Sequence, residues 1–284
     1  MARIDDLVAA GRTLSFELFP PKSEEAERQL EKCVVELAEL RPSFVSVTYG
    51  ALGSTRDRTR AVVTRINAEQ PFPAMPHLTC VAHTRADIEA LLDCYAEAGI
   101  ENILALGGDP PADGSPVVGD FTYAIELLEL IRAHPADFAV GVAAHPEVHP
   151  RSPDRESDRR HLAAKLMQAD FAMTQFFFEV RHYVRLLEEL AELGCDRPVL
   201  PGVMPFTSVA GVRRMAAING THIPDELQAR LDEVDGDSEA VRRLGVEVAT
   251  RLCEELFEVG VPGLHLYALN RSESVREVVT ALGL

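Results

Sequence analysis

A carboxylate alternating inside a hydrophobic β-run is costly unless it is paired or used, and the run Leu14-Ser15-Phe16-Glu17-Leu18-Phe19 contains one. Leu14, Phe16 and Leu18 share one face of this segment, and Ser15 and Glu17 share the other. Other polar groups stand at the carboxyl ends of further β-like runs. They are Ser46, Thr48 and Tyr49; His77 and Thr79; Gly107-Gly108-Asp109; His145 and His149; Thr174-Gln175; and Tyr267 followed by Asn270-Arg271. Carboxyl, imidazole, amide and guanidinium groups gathered at one face favour a ligand site there, with a carboxyl able to take part in proton transfer.

Each residue also has a plainer role. Glu17 could pair with Lys22, Asp109 could cap a turn, Gln175 could be a hydrogen-bonded core amide, and Arg271 could form a surface ion pair worth under about 1 kcal/mol. His145 and His149 have the spacing of a helical metal pair, but Pro146 and Pro150 argue against a helix there, and no metal site is expected. The Gly107-Gly108 pair alone is too weak a signal for a phosphate loop.

The elements that would position these groups alternate along the chain. Strand-like runs occur at Leu14–Phe19, Phe44–Tyr49, Pro76–Val81, Asn102–Leu106, Phe138–Ala144, Phe171–Phe177, Pro198–Val203 and Gly263–Leu269. Between them Glu24–Leu40, Thr84–Ala98, Tyr123–Ala133, Val180–Leu193 and Ala240–Val259 carry helical periodicity. Gly99, Gly194 and Gly260 sit where left-handed caps are wanted. Repeated strand–helix–strand units imply parallel strands with right-handed crossovers. Eight units in 284 residues fit a single (β/α)8 barrel domain spanning residues 1–284. A doubly wound sheet is the alternative, but no GxGxxG turn follows the first strand. The acidic stretch Thr221–Glu239 reads as an insertion with a short extra helix.

Composition narrows the function classes. With 28 basic and 45 acidic side chains the net charge is -17, which disfavours nucleic acid and anionic membranes as partners. No apolar run approaches the roughly 20 residues of a membrane span, and the N-terminal stretch lacks the layout of a secretion signal. The five cysteines are scattered and never CxxC, as expected for reduced thiols in the cytoplasm. A homo-oligomer is left open by the outer helices.

The runs SFELFPPK (15–22), VSVTYGALGS (45–54), PHLTC (76–80), ALGGDPP (105–111), AAHPEVHP (143–150), TQFFFE (174–179), PGVMP (201–205) and YALNR (267–271) resemble, in order, the methylenetetrahydrofolate reductase family. The resemblance implies a TIM barrel that reduces 5,10-methylenetetrahydrofolate to 5-methyltetrahydrofolate with NADH or NADPH, normally through bound FAD. It implies Glu17 as the general acid toward folate N10, with Asp109 and Gln175 on the pterin and Arg271 near the folate tail. It also puts Thr48, Tyr49, Ala51, His77, Gly108, Ala124, His145, His149, Asp158 and Lys165 at flavin- or nicotinamide-lining positions.

Departures fall mainly on the flavin side. Gly107 and His145 replace the family's usual arginine and tyrosine, and His161 and Ala164 replace an asparagine and an arginine. Gly211 replaces a glutamine on the folate side. Losing a buried arginine partner is worth about 2–5 kcal/mol, so FAD is expected to bind weakly or not at all, with hydride passing directly from the nicotinamide. His145, His161, Arg159 and Arg160 are the groups able to compensate. A hydrolase or lyase on the same barrel, and a non-catalytic folate- or nucleotide-binding barrel, are the alternatives.

Overall fold

The computed structural model describes residues 2–49, 56–108 and 119–284. Among these residues nine parallel strands form one sheet: β1 (Thr13–Leu18), β2 (Phe44–Val47), β3 (Ala74–Thr79), β4 (Asn102–Leu106), β5 (Ala139–Ala144), β6 (Phe171–Thr174), β7 (Val199–Leu200), β8 (Gly202–Val203) and β9 (Gly263–Tyr267). β7 and β8 are halves of one segment, broken at Pro201, which has no N–H to give to a ladder. β7 pairs with β6 and β8 with β9, so the eight-strand circuit closes across that proline and the doubly wound alternative is excluded.

Around the strands lie α1 (Ile4–Ala10), α2 (Glu24–Ala38), α3 (Arg56–Glu69), α4 (Arg85–Glu97), α5 (Ala124–Ala133), α6 (Arg155–Leu166), α7 (Val180–Glu192), α8 (Val209–Asn219), α9 (Asp225–Val234), α10 (Ser238–Glu258) and α11 (Ser272–Ala281). Local chemistry explains several boundaries. Thr84 and Asp87 form a reciprocal capping box on α4. Gly99, Gly194 and Gly260 take φ values of 69°, 75° and 77° just past α4, α7 and α10, as their placement anticipates. The expected strands run past the observed ends at Tyr49, Val81, Phe177 and Leu269, because the chain there leaves the ladder to form the mouth. The Thr221–Glu239 stretch does carry a helix, α9. Its Leu227 and Leu231 are buried with Phe176, Phe206 and Val212 in a satellite core beside the barrel.

Two apolar layers hold the barrel. Outward strand residues such as Phe16, Val45 and Leu78 pack against the helices in the main core. Inside, Phe44, Met75, Leu104, Phe171, Met173 and Leu200 fill the N-terminal half, and Ile4 of α1 closes it from below with no solvent exposure. Gly141 makes room for this layer, since a Cβ there would stand 2.5 Å from the Phe171 ring. Asn102 holds the plug in place: its Oδ1 accepts from the Ile4 N–H at 2.7 Å and its Nδ2 donates to the Ala2 carbonyl at 3.1 Å. Water is thereby excluded from the floor beneath the polar residues above. No helix among the described residues is long and apolar enough to cross a membrane.

Ile4→Ala should remove about 3 kcal/mol of stability, the ordinary loss for a fully buried aliphatic side chain. Urea unfolding measures it, and a change below about 1 kcal/mol would show that α1 is not a plug.

Candidate active site

Above the apolar floor the barrel interior turns polar, and the inward positions of β1, β2, β3 and β9 meet there. Ser15 pairs in register with Phe44 and His265, and Glu17 with Ser46 and Tyr267. Glu17 is 8% exposed. Its Oε2 lies 3.6 Å from His77 Nε2 and 3.7 Å from His265 Nε2, and Lys22 is exposed and is not its partner. Burial raises the Glu17 carboxyl to about 7, opposed by the nearby His77. Burial likewise holds both imidazoles neutral, with His77 lowered to about 4 and His265 to about 3. A half-protonated carboxyl between neutral rings is able to give a proton at neutral pH. Asp109 and Ala51 lie outside the described residues.

Gln175 is oriented by its neighbours. Its Oε1 accepts from the Phe176 N–H at 3.1 Å, which fixes the oxygen end, and lies 3.3 Å from the Tyr267 hydroxyl. The amide NH2 is left as the group available to a ligand. Tyr267 reaches over the intervening β7–β8 segment to the Thr174 carbonyl at 3.0 Å, passing Gly202, where a Cβ would stand 2.9 Å from the ring and 2.3 Å from the Thr174 oxygen. At the rim, the Asn270 side chain bonds the Phe19 N–H at 2.8 Å and its carbonyl at 2.9 Å, tying the ends of β9 and β1. Arg271 follows, exposed, at the start of α11.

Along β2 and β3 the polar groups divide into satisfied and unsatisfied. Thr48 carries the β2 chain out of the ladder, its N–H bonded to the Leu18 carbonyl at 2.9 Å. Tyr49 is bonded to His83, which sequence reasoning did not single out. His83 Nδ1 faces the Ala82 carbonyl at 3.1 Å and must carry the ring hydrogen, so its Nε2 accepts the Tyr49 hydroxyl at 2.8 Å. His77 Nε2 and Thr79 Oγ1, by contrast, are buried without hydrogen-bond partners. Gly108, at φ 84°, lies against this edge, where a Cβ would stand 2.4 Å from Val81 Cγ1. Ala124 opens α5 beside Gly107.

The residues around α6 are engaged within the protein. Asp158 accepts from the His149 N–H at 3.1 Å and Ser152 Oγ at 2.9 Å, and pairs with Arg159. Arg159, 3% exposed, donates to the carbonyls of His145, Pro146 and Glu147 and to Glu189. Lys165 Nζ donates to the Ala143 carbonyl at 2.9 Å, and burial lowers it to about 8. His145 and His149 stack edge to face at 4.4 Å. Burial lowers His145 to about 3, with the positive charges of Lys165, Arg159 and Arg151 contributing. Arg160 pairs with Glu156 in solvent, and His161 is exposed beside Ser157. Arg151 reaches the Gly108 carbonyl at 3.2 Å.

His265, the other member of the site not singled out from sequence, had one signal: it stands two residues before Tyr267 on the same inward face.

A closed parallel barrel with a protonatable carboxyl and a fixed amide at the strand C-terminal mouth defines a TIM-barrel enzyme. The chain belongs to the methylenetetrahydrofolate reductase family of oxidoreductases, whose pattern matches residues 3–283. It is 36% identical over 272 residues to the 5,10-methylenetetrahydrofolate reductase of Salmonella typhimurium, covering 95% of this chain and 90% of that protein. It is 34% identical over 297 residues to methylenetetrahydrofolate reductase (NADH) 1 of Zea mays, covering 99% of this chain and 50% of that protein. Among solved structures, a Clostridium thermocellum protein described as binding two copies of 5-methyl-5,6,7,8-tetrahydrofolic acid shares the fold. Its TM-score is 0.66 at 14% identity, covering 97% of this chain and 96% of that one.

The raised carboxyl has a consequence for stability. Its folded pKa, about 7, lies above the ordinary 4.5, so the folded state holds a proton that the unfolded chain releases between those values. The stability associated with that proton is complete below about 4.5 and is lost as pH rises through about 7. Glu17→Gln should therefore stabilise the protein at pH 8 relative to wild type, by an amount on the order of 3 kcal/mol, and do little at pH 4. Thermal unfolding at the two pH values checks this; equal effects at both would contradict the buried-acid assignment.

Proposed function

We propose that this chain reduces 5,10-methylenetetrahydrofolate to 5-methyltetrahydrofolate with NADH, with Glu17 as the proton donor and hydride passed directly from the nicotinamide. The observation that carries the reading is Glu17 itself: an inward carboxyl raised to about 7 by burial at the barrel mouth. Family membership supplies the substrate class, and the maize relative's name supplies the preference for NADH over NADPH.

The chemistry balances without a further redox group. Glu17 gives its proton to folate N10, the bond from N10 to the methylene carbon breaks, and an iminium forms at N5. Hydride from dihydronicotinamide C4 adds to that carbon, leaving the N5-methyl product and the oxidised nicotinamide. The Glu17 carboxylate then takes a proton from solvent. In this scheme the Gln175 NH2 and Asp109 hold the pterin edge, and the rim-exposed Arg271 takes a carboxylate of the folate tail. Thr48, the Tyr49 ring, Ala51, His77, Gly108 and Ala124 line the nicotinamide. The unpartnered His77 Nε2 and Thr79 Oγ1 are suited to the polar edge of a planar ring.

FAD fits this donor set poorly. A tightly held pyrophosphate needs cations or N–H groups turned toward it. Arg159 is taken up by three carbonyls and two carboxylates, and Lys165 is turned to a carbonyl. Arg160 pairs in solvent, and Gly107 brings no side chain. His145, His149, Asp158 and Lys165 thus shape the wall beside α6. A transient dinucleotide leaves its phosphates in water and makes no such demand.

The protein purified without added cofactor should show no flavin absorption and should form 5-methyltetrahydrofolate from NADH equally well with and without FAD. One equivalent of bound FAD would refute the direct transfer. Glu17→Gln should lower kcat by about 10²–10⁴ with KM little changed; full activity in that variant would remove Glu17 from the role.

A further inference from the structure

Donor accounting beneath Glu17 points to a protonation state. Ser15 has one hydroxyl hydrogen, and it is directed at the Leu264 carbonyl, 3.2 Å away. Ser15 Oγ also lies 2.8 Å from His265 Nδ1. With that hydrogen on the carbonyl, Ser15 Oγ accepts from Nδ1, which then carries the ring hydrogen and leaves Nε2 of the neutral ring a bare lone pair. That lone pair faces Ser46 Oγ at 3.4 Å and Glu17 Oε2 at 3.7 Å. The ring has little freedom to turn: it is 1% exposed, stacks on Phe44 at 11° and meets the Tyr267 ring edge to face.

We propose that Ser15 and His265 form a tautomer lock: by keeping His265 Nε2 unprotonated, they give the Glu17 acid an acceptor and deny the Glu17 carboxylate a donor. Both are positioning residues that act on the substrate through Glu17. In the opposite tautomer an Nε2–H would point at Glu17 Oε2 and favour the carboxylate, which has no proton to deliver. Among the described residues, the titratable groups facing Glu17 from the packed elements are His77 on β3 and His265 and Tyr267 on β9, with the uncharged Ser46 on β2. The lock works on His265 and not on His77, whose Nε2 has no hydrogen bond to fix it.

The inference rests on Glu17 being the proton donor, and the test separates the two claims. Nitrogen-15 NMR of the histidine rings in the wild-type protein reads the tautomer without turnover. An Nδ1–H at His265 is expected, and an Nε2–H overturns the lock. An acid catalyst loses activity as pH rises through its pKa, so weakening the lock moves the basic limb of the kcat/KM profile to lower pH. Ser15→Ala should move it down by about one unit and shift His265 toward the Nε2–H form, whereas Ser15→Thr, which keeps the hydroxyl, should leave it in place. An unmoved limb in Ser15→Ala, or the same shift in both variants, overturns the lock. If Glu17→Gln is inactive while the Ser15→Ala limb stays put, only the lock fails; if Glu17→Gln is fully active, the proton-donor reading fails first.

Discussion

The whole site depends on keeping one carboxyl out of water. Among the described residues, an ionised carboxylate placed where Glu17 stands would lack the cation or cluster of donors that normally stabilises it. Two neutral imidazoles stand 3.6 and 3.7 Å from it, so the protonated form becomes competitive near neutrality. That condition is built from below. The Ile4 plug and the aromatic and aliphatic floor keep solvent from the N-terminal side, and the ring of Tyr267 closes much of the space beside β8. The polar interior is therefore a set of groups oriented by bonds to backbone carbonyls and to one another, an arrangement that water would rearrange.

The strands and the five most regularly periodic helices were legible in the sequence, with three glycine caps, whereas α3, α8 and α11 were not read although they too bury valines. All eight strand segments and the five strongly periodic helices could be read because apolar side chains recur at the period of the element that buries them. Helix α6 could not be read in this way. Its inner face includes Asp158 and Arg159, a buried ion pair serving the 145–149 loop, and a polar buried face carries no hydrophobic period. α9 offers only Leu227 and Leu231 to its core, too few to set a rhythm.

The candidate site shows the same division. Glu17 stood out because it breaks a hydrophobic alternation, and its inward direction follows from the period of the strand. His265 passed as a single polar residue in an apolar run. Its partners Ser15 and Ser46 are 250 and 219 positions away, so the contacts that give it meaning exist only once the barrel has closed. His83 is hidden for a similar reason, since its bond to Tyr49 joins the ends of two different strands. Arg159, named from sequence only as a group able to compensate for lost flavin contacts, is held instead by the carbonyls of the loop as an internal strut.

The break at Pro201 bears on how this molecule breathes. The circuit is joined there by two-residue ladders on either side, while the other strand pairs share three to five registered residues. Amide protons flanking that seam are the natural first to exchange with solvent, ahead of those between β1 and β9. Because Gly202 takes Thr174 Oγ1 as a partner and Tyr267 leans over it, a transient parting of the seam would loosen the Gln175 amide while the glutamate on β1 stayed sheltered. Gln175 and Glu17 thus sit on mechanically unequal halves of one cylinder.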